Sequence, residues 1–312
     1  MKTPILLFPG QGSQCSGMGR DQAEADADVM ALWKQAEQIS HLPLREIYWE
    51  GDEKAMSDTR ALQPALTVVN IALWHAVQDA VQPQGAAGHS LGEFSALVSA
   101  GVLEVKDALA ITALRGALMA QADPAGQGAM AAIVKLDQQT VSDLVHDAAE
   151  ESGEIIVCAN YNSPLQTVVS GTRKACEIAC AKAKEKKGRA LPLKVSAAFH
   201  SPMMEEANKE FQPLLQKVTW HSARFPLYGN VDGLPEQDGR RLQEKMLKQM
   251  VSPVQWVKTV QQHLAAGCRE WLEIGPKSIL SKMVLACVDD TVHTVTTEAV
   301  TSFSLAQDYA AH

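Results

Sequence analysis

The sequence predicts an α/β protein: a parallel sheet covered by helices, interrupted by a small ferredoxin-like βαββαβ domain. Three observations carry this. Short apolar runs closed by glycine turns alternate with helical spacing in the first third of the chain. From residue 128 to residue 195 the order becomes strand, helix, strand, strand, helix, strand. Small-residue joints bracket that change, Asp123-Pro124-Ala125-Gly126 before it and Ser196-Ala197-Ala198 after it. The large domain is therefore placed at residues 1–124 and 198–312, and the small domain at 125–197.

Taken in order, residues 5–8 are an apolar run that reads as a buried strand, closed by the turn Pro9-Gly10-Gln11-Gly12-Ser13-Gln14. Helices are expected at 21–39 and 63–81, the second with Pro64 just inside its start, where the missing N–H costs nothing. The small residues 85–88 form a strand, followed by an amphipathic helix at 93–99 and a further helix at 106–121. The small domain has strands at 128–136, 154–159, 165–170 and 190–195 and helices at 138–151 and 172–186. Beyond it, 268–274 reads as a strand, and Gly275-Pro276 opens a helix at 277–288. The tail from Thr297 has weak periodicity, and no element is assigned to it.

A length of 312 residues suits two domains. With 46% hydrophobic and 21% charged residues the chain is globular, and it needs no metal or disulfide to fold. A net charge of −8 argues against nucleic acid as the partner. No apolar run reaches the roughly 18 residues of a membrane span. The N-terminal run stops at Pro9-Gly10, too early for a secretory signal, so a cytoplasmic protein is expected. Six scattered cysteines form no CxxC pair. Cys176 and Cys180 lie four apart on a helix but lack a matching ligand pair, so buried thiols and no metal are expected.

The strongest chemical signal is Gly88-His89-Ser90-Leu91-Gly92, a Gly-x-Ser-x-Gly between a strand and a helix. In that context flanking glycines let the chain turn sharply, exposing the serine oxygen at a helix N-terminus. There the next backbone N–H can face an oxyanion. A serine needs a base, and the histidines at 41, 75, 89, 146, 200, 221, 263, 293 and 312 are the candidates. His89 adjoins Ser90 but points the other way in such an elbow. His200, in Ala197-Ala198-Phe199-His200-Ser201-Pro202, stands at the crossing between domains, where ligand clefts form. On pattern alone a structural role for it stays equally open. Arg115 lies on a helix otherwise rich in Ala, Leu, Ile and Met. It is either an edge arginine or one buried against an anion.

These segments accumulate into a resemblance. Phe8-Pro9-Gly10-Gln11-Gly12-Ser13-Gln14, Gly88-His89-Ser90-Leu91-Gly92-Glu93, Arg115-Gly116-x-Leu118-Met119 and Ala198-Phe199-His200-Ser201-Pro202-Met203-Met204 occur in this order. Asn230, Ser252-Pro253-Val254-Gln255-Trp256 and Glu273-Ile274-Gly275-Pro276 complete the series. From residue 4 to about 290 the chain resembles the malonyl-CoA:acyl carrier protein transacylases, loading enzymes of bacterial type II fatty acid synthesis. Acyltransferase domains of polyketide synthases share the motifs.

The resemblance implies a hydrolase-like core in the large domain and a ping-pong transfer of malonyl from malonyl-CoA to an acyl carrier protein. It makes Ser90 the acylated nucleophile and His200 the general base and acid. Arg115 would bind the malonyl carboxylate, and the N–H groups of Leu91 and Gln11 would form the oxyanion hole. Gln63 matches a second active-site glutamine, and Gln249 the position whose main-chain carbonyl orients the histidine. Phe199 is the residue usual in malonyl-selective members. No cofactor is expected beyond the coenzyme A thioester and the carrier's phosphopantetheine, and the protein is expected to be a monomer. A serine esterase or thioesterase on a similar core is the alternative reaction. A polyketide or malonate decarboxylase acyltransferase is the alternative setting. The stretch Lys182-x-Lys184-x-Lys186-Lys187-Gly188-Arg189 is either a solvated helix end or a docking patch for an acidic carrier.

Overall fold

The described residues build two sheets. The computed structural model describes residues 2–289 and 295–311, so His293 and His312 lie outside the described residues. The described strands are β1 (Ile5–Phe8), β2 (Gly85–Gly88), β3 (Gly128–Val134), β4 (Ile156–Ser163), β5 (Gln166–Thr172), β6 (Arg189–Pro192), β7 (Leu227–Tyr228), β8 (Pro235–Glu236), β9 (Glu270–Ile274) and β10 (Thr296–Val300).

The first sheet runs β10-β9-β1-β2-β7-β8, with every pair parallel except β7 and β8. Its central strands β1 and β2 are buried at every position. That is why Ile5-Leu6-Leu7-Phe8 reads as a continuous apolar run and not as an alternation. The helix Gly92–Ser99 lies directly on β2: a Cβ on Gly88 would strike the backbone of Gly92, and one on Gly92 would strike the Phe8 carbonyl. Unlike the expected amphipathic helix, this one is buried at every residue, Glu93 included.

The second sheet, β4-β5-β3-β6, is antiparallel throughout. Strand alternation divides its faces. Ala131, Ile133 and Val169 pack under the helices Gln138–Ser152 and Arg173–Glu185. Met130, Ala132 and Val168 point the other way, into the core of the first sheet. A short parallel bridge joins the two bodies: Val254 N–H donates to Ala159 O (2.8 Å) and Tyr161 N–H to Val254 O (2.9 Å).

Several expected boundaries shift for local reasons. The helix expected at 63–81 is Thr59–Val77, begun by Asp58, whose carboxylate accepts the Arg60 N–H (3.0 Å). Pro64 therefore lies inside the helix, in its second turn, and not at its start. The helix expected at 21–39 is split into Arg20–Ala25 and Ala27–Ser40 by Asp26, which is extended and caps the second piece. Glu273 delays the helix expected at 277 to Leu280–Cys287: its carboxylate accepts the N–H groups of Ile279, Leu280 and Ser281 at 2.8, 2.9 and 2.8 Å. The unassigned tail supplies β10 and the helix Phe303–Ala311. Helices Leu44–Trp49, Glu53–Met56, Glu205–Lys217, Gly239–Gln249 and Trp256–Ala265 lie in stretches where the sequence reading assigned no element.

All six cysteines are thiols. Among the described residues, no helix is long and apolar enough to cross a membrane. In the basic stretch Lys182 pairs with Glu151 (3.0 Å), while Lys184, Lys186, Lys187 and Arg189 are exposed.

Candidate active site

Ser90 occupies the turn between β2 and the helix Gly92–Ser99 with φ of 51°. That left-handed conformation is costly for a residue with a Cβ, on the order of 1–3 kcal/mol, and persists only where neighbours enforce it. The expectation assigned the sharp turn to the flanking glycines. Neither has positive φ; they supply room, and the strain falls on the serine itself. Gly10 has the same role, since a Cβ there would strike the His89 carbonyl. Asn230 secures the turn: its Oδ1 accepts the Ser90 N–H (2.7 Å) and its Nδ2 donates to Gly88 O (2.6 Å).

His200 comes from the crossing between the sheets and places Nε2 at 2.8 Å from Ser90 Oγ. Its Nδ1 faces the carbonyl of Gln249 (3.2 Å) and that of Ser252 (3.0 Å). Carbonyls only accept, so Nδ1 carries the proton and the Nε2 lone pair faces the serine. The Gln249 carbonyl is thus one of two acceptors facing Nδ1. Ser252 shares the task, although the sequence reading did not single it out for it.

Arg115 is 1% exposed, which removes the edge reading that its helix alone left open. Its Nη1 donates to Gln63 Oε1 (3.0 Å), and its Nη2 to Gln249 Oε1 (3.0 Å) and Ser90 Oγ (3.2 Å). Among the described residues it has no ion pair, and its Nε is buried without a partner. His89 turns away from the serine, with Nε2 at 2.8 Å from Asn162 Oδ1 on β4. Asn230 and Glu93 were visible in the motifs without an assigned role.

Ser90, His200, Arg115 and His89 line a cleft of about 180 Å³. Gln11, Leu91 and Gln63 also line it, together with Phe199 from the crossing and Met130 and Val168 from the second sheet. Cys15 lies outside, its thiol pushed up by burial.

Burial also dominates the titration of the site. It holds His200 down at about 3, with the charge of Arg115 as the next cause, so the imidazole is neutral at working pH. Arg115 falls to about 10, and Glu93 rises to about 7. His263, buried beneath the first sheet, is also held at about 3. A histidine lowered on folding stabilises the fold above its ordinary value and loses that contribution as pH falls. Glu93, raised on folding, changes stability in the opposite sense. From pH 6 to 5 two histidines outweigh one carboxyl, leaving about one proton net and a loss on the order of 1 kcal/mol per pH unit. His75 and His89, also lowered by burial, act in the same direction. Urea titrations at the two pH values should show this decline, and a flat or rising stability would contradict the burial of these imidazoles.

Comparison with known proteins places this geometry. Residues 5–307 match the acyl transferase domain family. The malonyl CoA-acyl carrier protein transacylase of Bacillus subtilis (strain 168) is 38% identical over 286 residues, 91% of this chain and 90% of that protein. That of Haemophilus influenzae is 35% identical over 313 residues, 99% of each. Among solved structures, a malonyl-transacylase in complex with its type II PKS acyl-carrier protein aligns with a TM-score of 0.92 at 34% identity, covering 99% of both chains. The transacylase of Coxiella burnetii aligns with a TM-score of 0.91 at 30% identity, covering 100% of this chain and 98% of that one.

Proposed function

From the premise that this chain belongs to the acyl transferase family, we infer that it moves malonyl groups from malonyl-CoA to the phosphopantetheine thiol of an acyl carrier protein, supplying fatty acid synthesis. Ser90 Oγ attacks the thioester carbonyl as His200 Nε2 takes its proton. Coenzyme A leaves as its thiol, recovering that proton, and a malonyl-serine ester remains. The carrier thiol then attacks the ester, giving its proton to His200, which returns it to Ser90. The two carbonyls on Nδ1 stand where a carboxylate would orient the histidine in a full triad, and stabilise the imidazolium of each step. No step calls for a metal or a redox group.

The observation that carries the reading is Arg115: a buried guanidinium aimed at the nucleophile and, among the described residues, in no ion pair. A planar fork of donors suits the free carboxylate of malonyl. That carboxylate would also cancel a positive charge that holds His200 down, so arrival of the right substrate strengthens the base. Gln11 and Leu91, on the wall beside Ser90, are proposed to offer their N–H groups to the oxyanion, and Phe199 to limit bulk beside the acyl chain. The exposed Lys186, Lys187 and Arg189 support an acidic carrier as partner. A monomer in the cytoplasm completes the proposal.

Incubation with malonyl-CoA and a carrier protein, followed by intact-mass spectrometry, tests the reading. The expected result is malonylated carrier, with slow release of free malonate when carrier is omitted. Rapid hydrolysis without carrier would instead make the protein a thioesterase.

A further inference from the structure

The Glu93 carboxylate bonds Asn230 and Gln249, the residues that hold Ser90 and His200, yet the mechanism above does not use it. It is 6% exposed and sits one helical turn after Ser90. Its Oε1 accepts the Asn230 N–H (3.0 Å), and its Oε2 accepts from Gln249 Nε2 (3.0 Å). The Gln249 amide is a relay. Nε2 also donates to Ser90 O (2.8 Å), and Oε1 receives Arg115 Nη2 (3.0 Å). Chemistry fixes which way that amide points. A backbone carbonyl only accepts and a guanidinium only donates, so Nε2 must face Ser90 and Oε1 must face Arg115. The amide keeps that orientation because Glu93 offers an acceptor to the second N–H of the same nitrogen.

We propose that Glu93 is a positioning residue that sets the acyl-group selectivity of the site, by holding the Gln249 side chain in the one orientation that aims Arg115 at the malonyl carboxylate. This rests on the carboxylate role of Arg115 argued above. The electrostatics agree with it. Arg115 and Lys245 are the charges that draw the Glu93 carboxyl back toward the ionised, doubly accepting form, against the burial that pushes it up to about 7. Lys245 itself pairs with Asp232 (3.0 Å), so neither cation is bound directly by Glu93.

Glu93→Gln isolates the relay. The new amide oxygen keeps the Asn230 N–H, while its NH₂ confronts the Gln249 NH₂, donor against donor. That repulsion pushes the Gln249 amide away from the new NH₂, so its Oε1 no longer holds Arg115 Nη2 in place. The Gln249 main-chain carbonyl on His200 belongs to the end of its helix and stays. The expected result is an about tenfold loss in malonyl transfer efficiency, with acetyl transfer unchanged within about twofold. In an Arg115→Ala background, where no guanidinium remains to be aimed, Glu93→Gln should cost malonyl transfer less than about twofold.

Glu93→Asp, which keeps a carboxylate but draws it back from Gln249 Nε2, should reproduce the selective loss in milder form, and it serves if Glu93→Gln does not fold. Equal losses for malonyl and acetyl in the variant that folds would overturn the proposal. So would a Glu93→Gln penalty undiminished by Arg115→Ala. An Arg115→Ala enzyme that keeps the malonyl preference would overturn the functional reading itself, and is distinguishable because it needs no change at Glu93.

Discussion

Ser90→Ala is expected to abolish both the acyl-enzyme and net malonyl transfer, the largest effect any single substitution should have here. Removing Oγ deletes the atom that forms the covalent intermediate, and nothing nearby substitutes for it. Cys15, from the neighbouring glycine-rich loop, is absent from the cleft lining, and burial keeps its thiol protonated. His200 and Arg115 would remain in place, so a carrier thiol could still approach, but direct transfer between two thioesters lacks the serine that splits the reaction into two steps. Intact-mass spectrometry with malonyl-CoA should show an adduct on the parent and none on the variant. An adduct on any residue other than Ser90 would sink the mechanism.

Arg115→Ala should reverse the substrate preference without uniformly weakening the enzyme. Malonyl transfer efficiency is expected to fall by roughly 2–4 kcal/mol, on the order of 30- to 1000-fold, as the charge-assisted hydrogen bonds to the carboxylate disappear. Acetyl transfer should hold or rise, for two reasons. Acetyl never used those bonds, and it leaves a desolvated guanidinium without a counter-ion. Removing the charge also lifts one of the causes that hold His200 down, giving a stronger base. The measurement is the ratio of efficiencies for the two thioesters in parent and variant. Equal loss of both in a folded variant would make Arg115 structural, its bonds to Gln63 and Gln249 being part of the scaffold. A retained malonyl preference would mean that another cation binds the carboxylate.

The chain itself determined the parts of the site that depend on local stereochemistry. Five consecutive residues announce the elbow, because a strand, a serine and two glycines at that spacing leave few ways to fold. The six-element order of the second sheet was legible because strand and helix periods differ and small-residue joints mark its ends. His200 stood out by its place at a crossing, and family resemblance supplied its role. Local signals also misled in identifiable ways. Pro64 suggested a helix start that Asp58 in fact supplies, and a short helix that looked amphipathic is buried on all sides because it is held between β1 and β2 and the helices Thr59–Val77 and Val105–Gln121.

What the tertiary structure alone decided is who partners whom. Ser90 meets His200 across 110 residues, Asn230 across 140 and Gln249 across 159. Whether Arg115 lay at an edge or was buried could not follow from its own helix, since the answer depends on the helix Thr59–Val77 and Gln249 packing over it. Glu93 and Ser252 were in plain view in the motifs, but a carboxylate or a carbonyl declares its role only when burial strips away water and leaves it one set of donors. Turn geometry and side-chain size act between neighbours and are written along the chain. The pairing of buried polar groups is settled when the two sheets close on each other, because only then does each group lose solvent as an alternative partner.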